Sequence, residues 1–428
     1  MNIKKIMLVL IASLYTTTYS KAPFGLFLPY DINIMQRKPS HKSRQLVVLT
    51  ENSYKVRGFA TDEKEEETEI VNPLQIYEKH QNFIAMYQSV QPNTGSATSS
   101  EVLQILDSIA GGPGGGVRFS NKVSLTPTAK FSIGQCSLGF IQGLGKGFYI
   151  SAYLPVYYAK MTNLSFKFDT STVLFSDFAL QDKITKAFTQ DAKQLFGLDI
   201  CNWKQHHTGD LTLLAEWQRT FAQQRQTLKS VETNLRVGLS LPTGKAAATN
   251  LIMPISFGNE GSWAIPFGGG LSINIAHLLE FGFAAQMEYI FSNEQDRRIK
   301  TFNTQSSLLY PSITKTHKEF AIIQNLSLHA TLYSRCNRFS LKNIYTYYRK
   351  PADIVIPLSP SYNFNVANSA AELDETTLHQ YCLCARYHPL STDFKRAFPQ
   401  FTAFYKHSFN GMRIAGASTY GFEVSLIF

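Results

Sequence analysis

The sequence predicts an all-β membrane fold, a single antiparallel transmembrane β-barrel of about twelve strands, with fourteen as the alternative count. Three observations predict it. Segments of about ten or more residues alternate apolar and polar side chains, longer than the ~5–6 residues of an ordinary globular strand. The links between them alternate short and long. The last residues keep the pattern to the end: Tyr420, Phe422, Val424, Leu426 and Phe428 alternate with Thr419, Gly421, Glu423, Ser425 and Ile427. The competing reading is a soluble, secreted β-protein whose greasy faces meet a protein core.

Composition narrows the classes. Of 428 residues, 13% are aromatic and 17% charged, rich in strand formers and poor in charge for a soluble protein. Mean hydropathy is −0.12, and past the N-terminus no apolar run approaches the ~20 residues of a spanning helix. The net charge of +10 is scattered, without a recognition helix or RNA-binding signature, so no nucleic-acid partner is expected. Basic loops facing anionic lipid headgroups account for it. Five cysteines, Cys136, Cys201, Cys336, Cys382 and Cys384, do not make a disulfide framework. Cys382 and Cys384 share one strand face, and no further ligands stand at metal-binding spacing. No metal and no cofactor are expected.

In chain order, residues 1–20 read as a signal peptide: basic "MNIKK", apolar "IMLVLIASLY", then a polar end with cleavage after Ser20. Residues 21–44 form an extended leader, and 45–60 a first barrel strand. Residues 61–127 are a helical plug or lid insert. It opens on the acidic run "TDEKEEETE". One helix is expected over 73–90, capped by Asn72 with Pro73 at its first position, and another over 100–110, capped by Ser100. "GGPGGG" follows, and Gly111, Gly112, Gly114, Gly115 and Gly116 are the expected plug hinge. The run ends a helix and has no following Lys-Ser/Thr, so it is not a phosphate loop.

Residues 128–428 form the barrel. With the first strand, the expected strands are 46–60, 128–141, 147–159, 210–222, 229–241, 263–275, 279–292, 319–333, 338–349, 378–388, 400–408 and 419–428. The apolar face belongs outside, because a closed barrel satisfies every backbone group in lipid. Alternation then places Glu216, Glu232, Arg236, Glu280, Glu288, Lys342, Arg386 and Glu423 in the lumen, as paired charges or a selectivity ring. Phe148, Tyr158, Phe221, Tyr289, Phe291, Tyr333, Tyr420 and Phe428 are expected in outward aromatic girdles. No enzyme activity is expected. His379 and Cys382, and likewise His407 and Ser408, fall on opposite faces, and His206 and His207 lie in a long link beside Asp210.

A cleavable export signal, sorted link lengths and the terminal "YGFEVSLIF" resemble bacterial outer-membrane β-barrel proteins of Gram-negative cells. The resemblance implies an outer-membrane location among outer-membrane lipids. It also implies that Tyr420, Phe422, Val424, Leu426 and Phe428 are the signal read by the barrel-insertion machinery. More weakly, the insert and "LPTG" at 241–244 are similar to the long-chain fatty-acid and aromatic-compound transporters. The expectation is a porin-like gated channel passing an unidentified small solute, hydrophobic ones included. The alternative is a non-transport surface barrel whose links 160–209, 293–318 and 350–377 serve adhesion or structure.

Overall fold

A computed structural model describes residues 43–61, 68–89, 124–168, 178–336, 338–389 and 398–428. The described strands are β1 (Arg44–Thr61), β2 (Thr68–Val71), β3 (Gln81–Asn82), β4 (Ser124–Gly145), β5 (Phe148–Phe168), β6 (Trp203–Thr208), β7 (Leu211–Ala222), β8 (Leu228–Leu241) and β9 (Ala264–Ile275). They continue with β10 (Leu279–Ile290), β11 (Asn293–Ile299), β12 (Ser312–Glu319), β13 (Ile323–Tyr333), β14 (Phe339–Lys350), β15 (Ile354–Pro357), β16 (Thr376–Tyr387), β17 (Phe398–Met412) and β18 (Ile414–Ile427).

Twelve of these make one antiparallel sheet that closes on itself, because β1 pairs with β18 on one edge and with β4 on the other. Arg44 and Phe428 seal the seam by exchanging backbone hydrogen bonds of 2.8 and 2.9 Å. The remaining strands extend the wall on the long-link side: β2 on β1, β3 on β4, β6 on β5. There β11, β12 and β15 form a separate three-stranded sheet.

All twelve expected barrel strands are present, most within a few residues of the expected bounds. The last is longer. β18 starts at Ile414, not 419, and only Arg413, in the left-handed region at φ 50, links it to β17. The glycines that read as a loop serve packing: a Cβ on Gly416 would meet the Phe59 ring at 2.4 Å. Link length sorts by side as expected for the first nine links. The tenth, after β16, is ten residues long on the short side, and the eleventh, Arg413, breaks the rule on the long side.

The outward row is greasy. Leu235 is 61% exposed, Phe283 45% and Leu328 55%, while the alternate positions point inward. Tyr333 is a correction. It follows outward Leu332 and so faces the lumen, where its hydroxyl donates to Glu280 Oε2 at 2.7 Å.

The insert also differs from expectation. Asn72 caps as predicted, its side chain accepting from the Leu74 amide. A continuous helix over 73–90 does not form among its described residues. Two short 3-10 turns, Pro73–Gln75 and Ile84–Ser89, flank the two-residue β3. Groups from 304–308 take the places of helical partners: Ser306 Oγ accepts from the Asn82 amide (2.8 Å), and Glu78 and Gln81 accept from the amides of Ser307 and Leu308 (3.0 and 3.2 Å). The signal peptide, the helix expected over 100–110 and the hinge glycines lie outside the described residues.

A helix at Phe178–Phe196 occupies a stretch expected only as a link. Its buried Ile184, Ala187, Phe188, Asp191 and Ala192 recur at helical spacing. Ile184, Ala187, Phe188 and Ala192 pack with Leu74, Phe83, Ile84 and Tyr87 of the insert, with 252–257, and with Leu308 and Leu309, in one apolar cluster, and Asp191 accepts from the Tyr87 hydroxyl at 3.1 Å. Phe59, Phe131, Tyr157, Tyr348, Leu378 and Ile414, near the long-link ends of their strands, complete it. The barrel mouth on that side is thus filled by a hydrophobic cap.

Candidate functional site: the lumen and its capped mouth

Every charge expected in the lumen stands on the inward face. Glu216, 5% exposed, accepts from Ser151 Oγ at 2.8 Å and sits opposite Arg236 in register. Glu232 accepts from Gln218 Nε2 at 2.6 Å. Glu280 accepts from Tyr333 and lies 3.3 Å from His329 Nε2. Glu288 accepts from Asn259 Nδ2 at 3.0 Å. Lys342 pairs in register with buried Thr331. Arg386, Thr402 and Glu423 form one cross-strand row. Glu232, Glu280 and Lys342 lie close enough to act on one another electrostatically, and Arg386 acts on the same Tyr333 that donates to Glu280.

Two inward charges went unrecognised in the sequence. Lys406 Nζ lies 3.0 Å from Glu51 Oε2, with 3% and 0% of their side chains exposed. Thr419 Oγ1 donates to Glu51 Oε1 at 2.6 Å, and Gln135 Nε2 to Oε2 at 3.3 Å. Parity alone marks both positions. What hid them is the apolar character of their inward neighbours, since Val47, Leu49 and Phe404 also point inside. The lumen is therefore partly apolar: Val47, Leu49, Ile141, Tyr149, Tyr153, Leu214, Ile344, Cys382, Cys384 and Phe404 pack together. Glu216 stands among them, opposite Tyr149 in register.

Cys382 and Cys384 are both buried, with their sulfurs 3.4 Å apart and unbridged. Among the described residues no group of three or more His, Cys, Asp or Glu is placed to hold a metal. His206 and His207 lie on β6, against the rings of Tyr158 (4.9 Å) and Phe257 (5.0 Å). Asp210 accepts from the amides of Gly244 (2.8 Å) and Asn259 (2.6 Å). The "LPTG" run is a fastening: Thr243 Oγ1 donates to the Gly209 carbonyl at 2.8 Å, and a Cβ on Gly244 would meet the Phe257 carbonyl at 1.7 Å.

The cap is pinned by buried ion pairs. Glu260 accepts from Lys318 Nζ at 2.8 Å and from Arg297 Nη2 at 3.3 Å. Lys318 also reaches Asp353 at 3.1 Å. Burial pushes the Glu260 carboxyl up, but Lys318 and Arg297 overcome it and hold it at about 2. Arg298 donates to the carbonyls of Phe196, Tyr310 and Pro311 (2.9, 2.9 and 3.1 Å), and burial lowers its guanidinium to about 10.

Between these elements lies a cavity of about 250 Å³. Leu198, Leu251, Met253 and Leu308 line one side, and Arg297, Tyr310 and Glu372 the other. Tyr310 donates to Glu372 Oε2 at 3.0 Å, while burial raises that carboxyl to about 7. The site is an amphipathic pocket in a capped mouth.

The terminal strand shows its aromatic side to the outside. Tyr420 and Phe428 are each 55% exposed and Phe422 43%. Val424 and Leu426 share that outward face, opposite Val48 and Leu46 in register.

Fold and site together define a closed twelve-strand transmembrane β-barrel with a charged lumen and a packed mouth. No protein-family model matches the sequence, and no curated protein matches it. Among solved structures the chain is similar to an outer-membrane channel from Pseudomonas putida F1, at 10% identity and a TM-score of 0.48, over 91% of this chain and 96% of that one. It is also similar to the Pseudomonas putida toluene transporter TodX, at 7% identity and a TM-score of 0.34, over 96% of both chains. A third is a Pseudomonas aeruginosa FadL homologue, at 10% identity and a TM-score of 0.26, over 90% and 89%. At these values the likenesses decide nothing about substrate, and the barrel rests on its strand pairing.

Proposed function

We propose that this chain is an outer-membrane channel of a Gram-negative cell that admits small solutes through a gated, capped mouth, with the long links outside the cell. The observation that carries the reading is the contrast along the lumen. Below the mouth, charged and polar side chains stand on the inward faces of the strands, a surface that a protein interior does not need and a solute path uses. At the mouth, the insert and the helix Phe178–Phe196 fill the bore with apolar side chains. The pocket of Leu251, Met253, Arg297 and Glu372 favours a small amphipathic solute over a sugar.

The insert, 61–127, acts as the plug, with Gly111, Gly112, Gly114, Gly115 and Gly116 as its hinge. Glu216, Glu232, Arg236, Glu280, Glu288, Lys342, Arg386 and Glu423 set a weak ionic preference. Export through a cleaved signal peptide and recognition of the terminal strand by the insertion machinery complete the reading.

The test is swelling of liposomes holding the purified chain, over a panel of sugars, amino acids and hydrophobic acids, beside planar-bilayer conductance. Deleting 73–116 should raise single-channel conductance. Unchanged conductance removes the plug, and no swelling with any solute removes the channel. Exposed Ile313, Ile354, Leu358 and Phe364, on or beside the outer three-stranded sheet, favour the second reading, a surface barrel for adhesion.

A further inference from the structure

On the outward face of β5 the greasy surface has a sharp upper edge. Phe148 and Ile150 are 53% and 48% exposed. Leu154 and Val156 continue the row, Tyr158 follows, and the next outward residue is Lys160. Register gives the neighbours of that position along the ladder. Tyr158 pairs with His206 and Gly134, Gly134 with Asn52, Asn52 with Tyr420, and Tyr420 with Tyr405. Phe148 to Tyr158 spans about 33 Å of strand at 3.3 Å per residue. At a tilt of about 40° that is about 25 Å of height, the thickness of the apolar band of such barrels. The Tyr158 level is therefore where hydrocarbon ends and headgroups begin.

Four exposed lysines, Lys130, Lys160, Lys167 and Lys204, stand above this level on β4, β5 and β6. Their cross-strand partners include no carboxylate. Lys130 faces Thr162, Lys167 faces Thr126, and Lys160 faces Ser132 on one side and Lys204 on the other. Two like charges directly opposite each other across a ladder repel. Lys204 Nζ lies 5.5 Å over the Tyr158 ring, which holds one of the two ammonium groups at the membrane boundary. Among the described residues no carboxylate pairs with these lysines, and at this depth an available anion is a lipid phosphate.

We propose that the exterior of β4, β5 and β6 is a docking site for a phosphate-bearing lipid of the outer leaflet. Lys160 and Lys204 clamp the phosphate, Lys130 and Lys167 flank it, and Tyr158 and His206 meet the start of the acyl region. This rests on the long links facing outward, as in the function proposed above, but not on solute passage.

The test uses the full-length chain purified in detergent, its fold checked by heat-modifiable gel migration. Native mass spectrometry follows retention of bis-phosphorylated lipid A, of the same lipid dephosphorylated, and of inorganic phosphate. The wild type should retain the phosphorylated lipid at least tenfold better than the dephosphorylated one. The K160Q/K204Q variant should lose at least tenfold. A K130Q/K167Q variant, read in the same way, should lose less and serves if the first pair does not fold. Equal retention of both lipids, or equal retention by folded variants, overturns the proposal. Competition by millimolar inorganic phosphate also overturns it, since the patch would then be an ion site. Absence of liposome swelling bears only on the channel.

Discussion

Lys406 Nζ and Glu51 Oε2 meet inside the barrel at 3.0 Å, both side chains almost wholly buried. Removing one partner leaves a buried charge, which costs about 3–5 kcal/mol, whereas removing both is close to neutral. K406M should therefore lower the temperature at which the folded band is lost in heat-modifiable gels, and E51Q/K406M should recover most of the loss. Equal lowering in the single and double variants would show that the pair contributes nothing as a pair.

Glu372 sets a pH window for the cap. Its carboxyl ionises near 4.5 when free and near 7 when folded, because burial disfavours the charge. The folded cap thus holds the proton longer than the open one. Its stability is greatest below about 4.5 and falls as pH rises through about 7. Amide protection in 302–311, with the intrinsic exchange rate at each pH divided out, should fall between pH 5 and pH 8, and E372Q should flatten that fall. An E372Q profile matching the wild type would remove Glu372 as the cause.

Glu260 works in the opposite sense. Its carboxyl is held down at about 2 by Lys318 and Arg297. Its contribution is present above about 4.5 and is lost as pH falls toward about 2. At neutral pH the chemical route to the same loss is K318M, which strips a buried base from both Glu260 and Asp353. Cleavage by added protease within 300–322 should become several-fold faster than in the wild type. Resistance equal to the wild type would mean that apolar packing alone holds the cap.

Phe428 closes the barrel seam through its backbone and shows its ring to the outside. Deleting it removes the ladder bonds to Arg44. Folding into liposomes supplied with insertion machinery should slow, while F428W should keep most of the rate and F428A less. Equal rates for F428A and the wild type would leave the ring without a role in insertion.

Much of the barrel was legible because period-two alternation is a local property. Leu235, Phe283 and Leu328 declare an outward face within their own strands, and Glu216 and Arg236 an inward one. Tyr333 obeys the same parity, and its misplacement came from reading it as a girdle aromatic when Leu332 already held the outward position. Glu51 and Lys406 obey it too, but their inward neighbours Val47, Leu49 and Phe404 are apolar, so the two faces lack contrast. The expected helix over 73–90 failed for a different reason. The Asn82 amide and the Glu78 carboxyl find partners on Ser306 and Ser307, more than 200 residues away, and no local pattern reports a partner so distant.

The sequence by itself determined the twelve barrel strands, the sorting of the first nine links, and the inward face of strands with clear contrast, because pleat and alternation are set residue by residue. Only the tertiary structure decided that the mouth is filled, that Glu51 finds Lys406 and Glu260 finds Lys318, and that Lys160 and Lys204 stand side by side above Tyr158. Those relations depend on closure of the sheet, which brings residue 51 beside residue 419 and lays the links across the opening. The free energy of each such contact lies in burial and pairing across the fold, which no window of neighbouring residues contains.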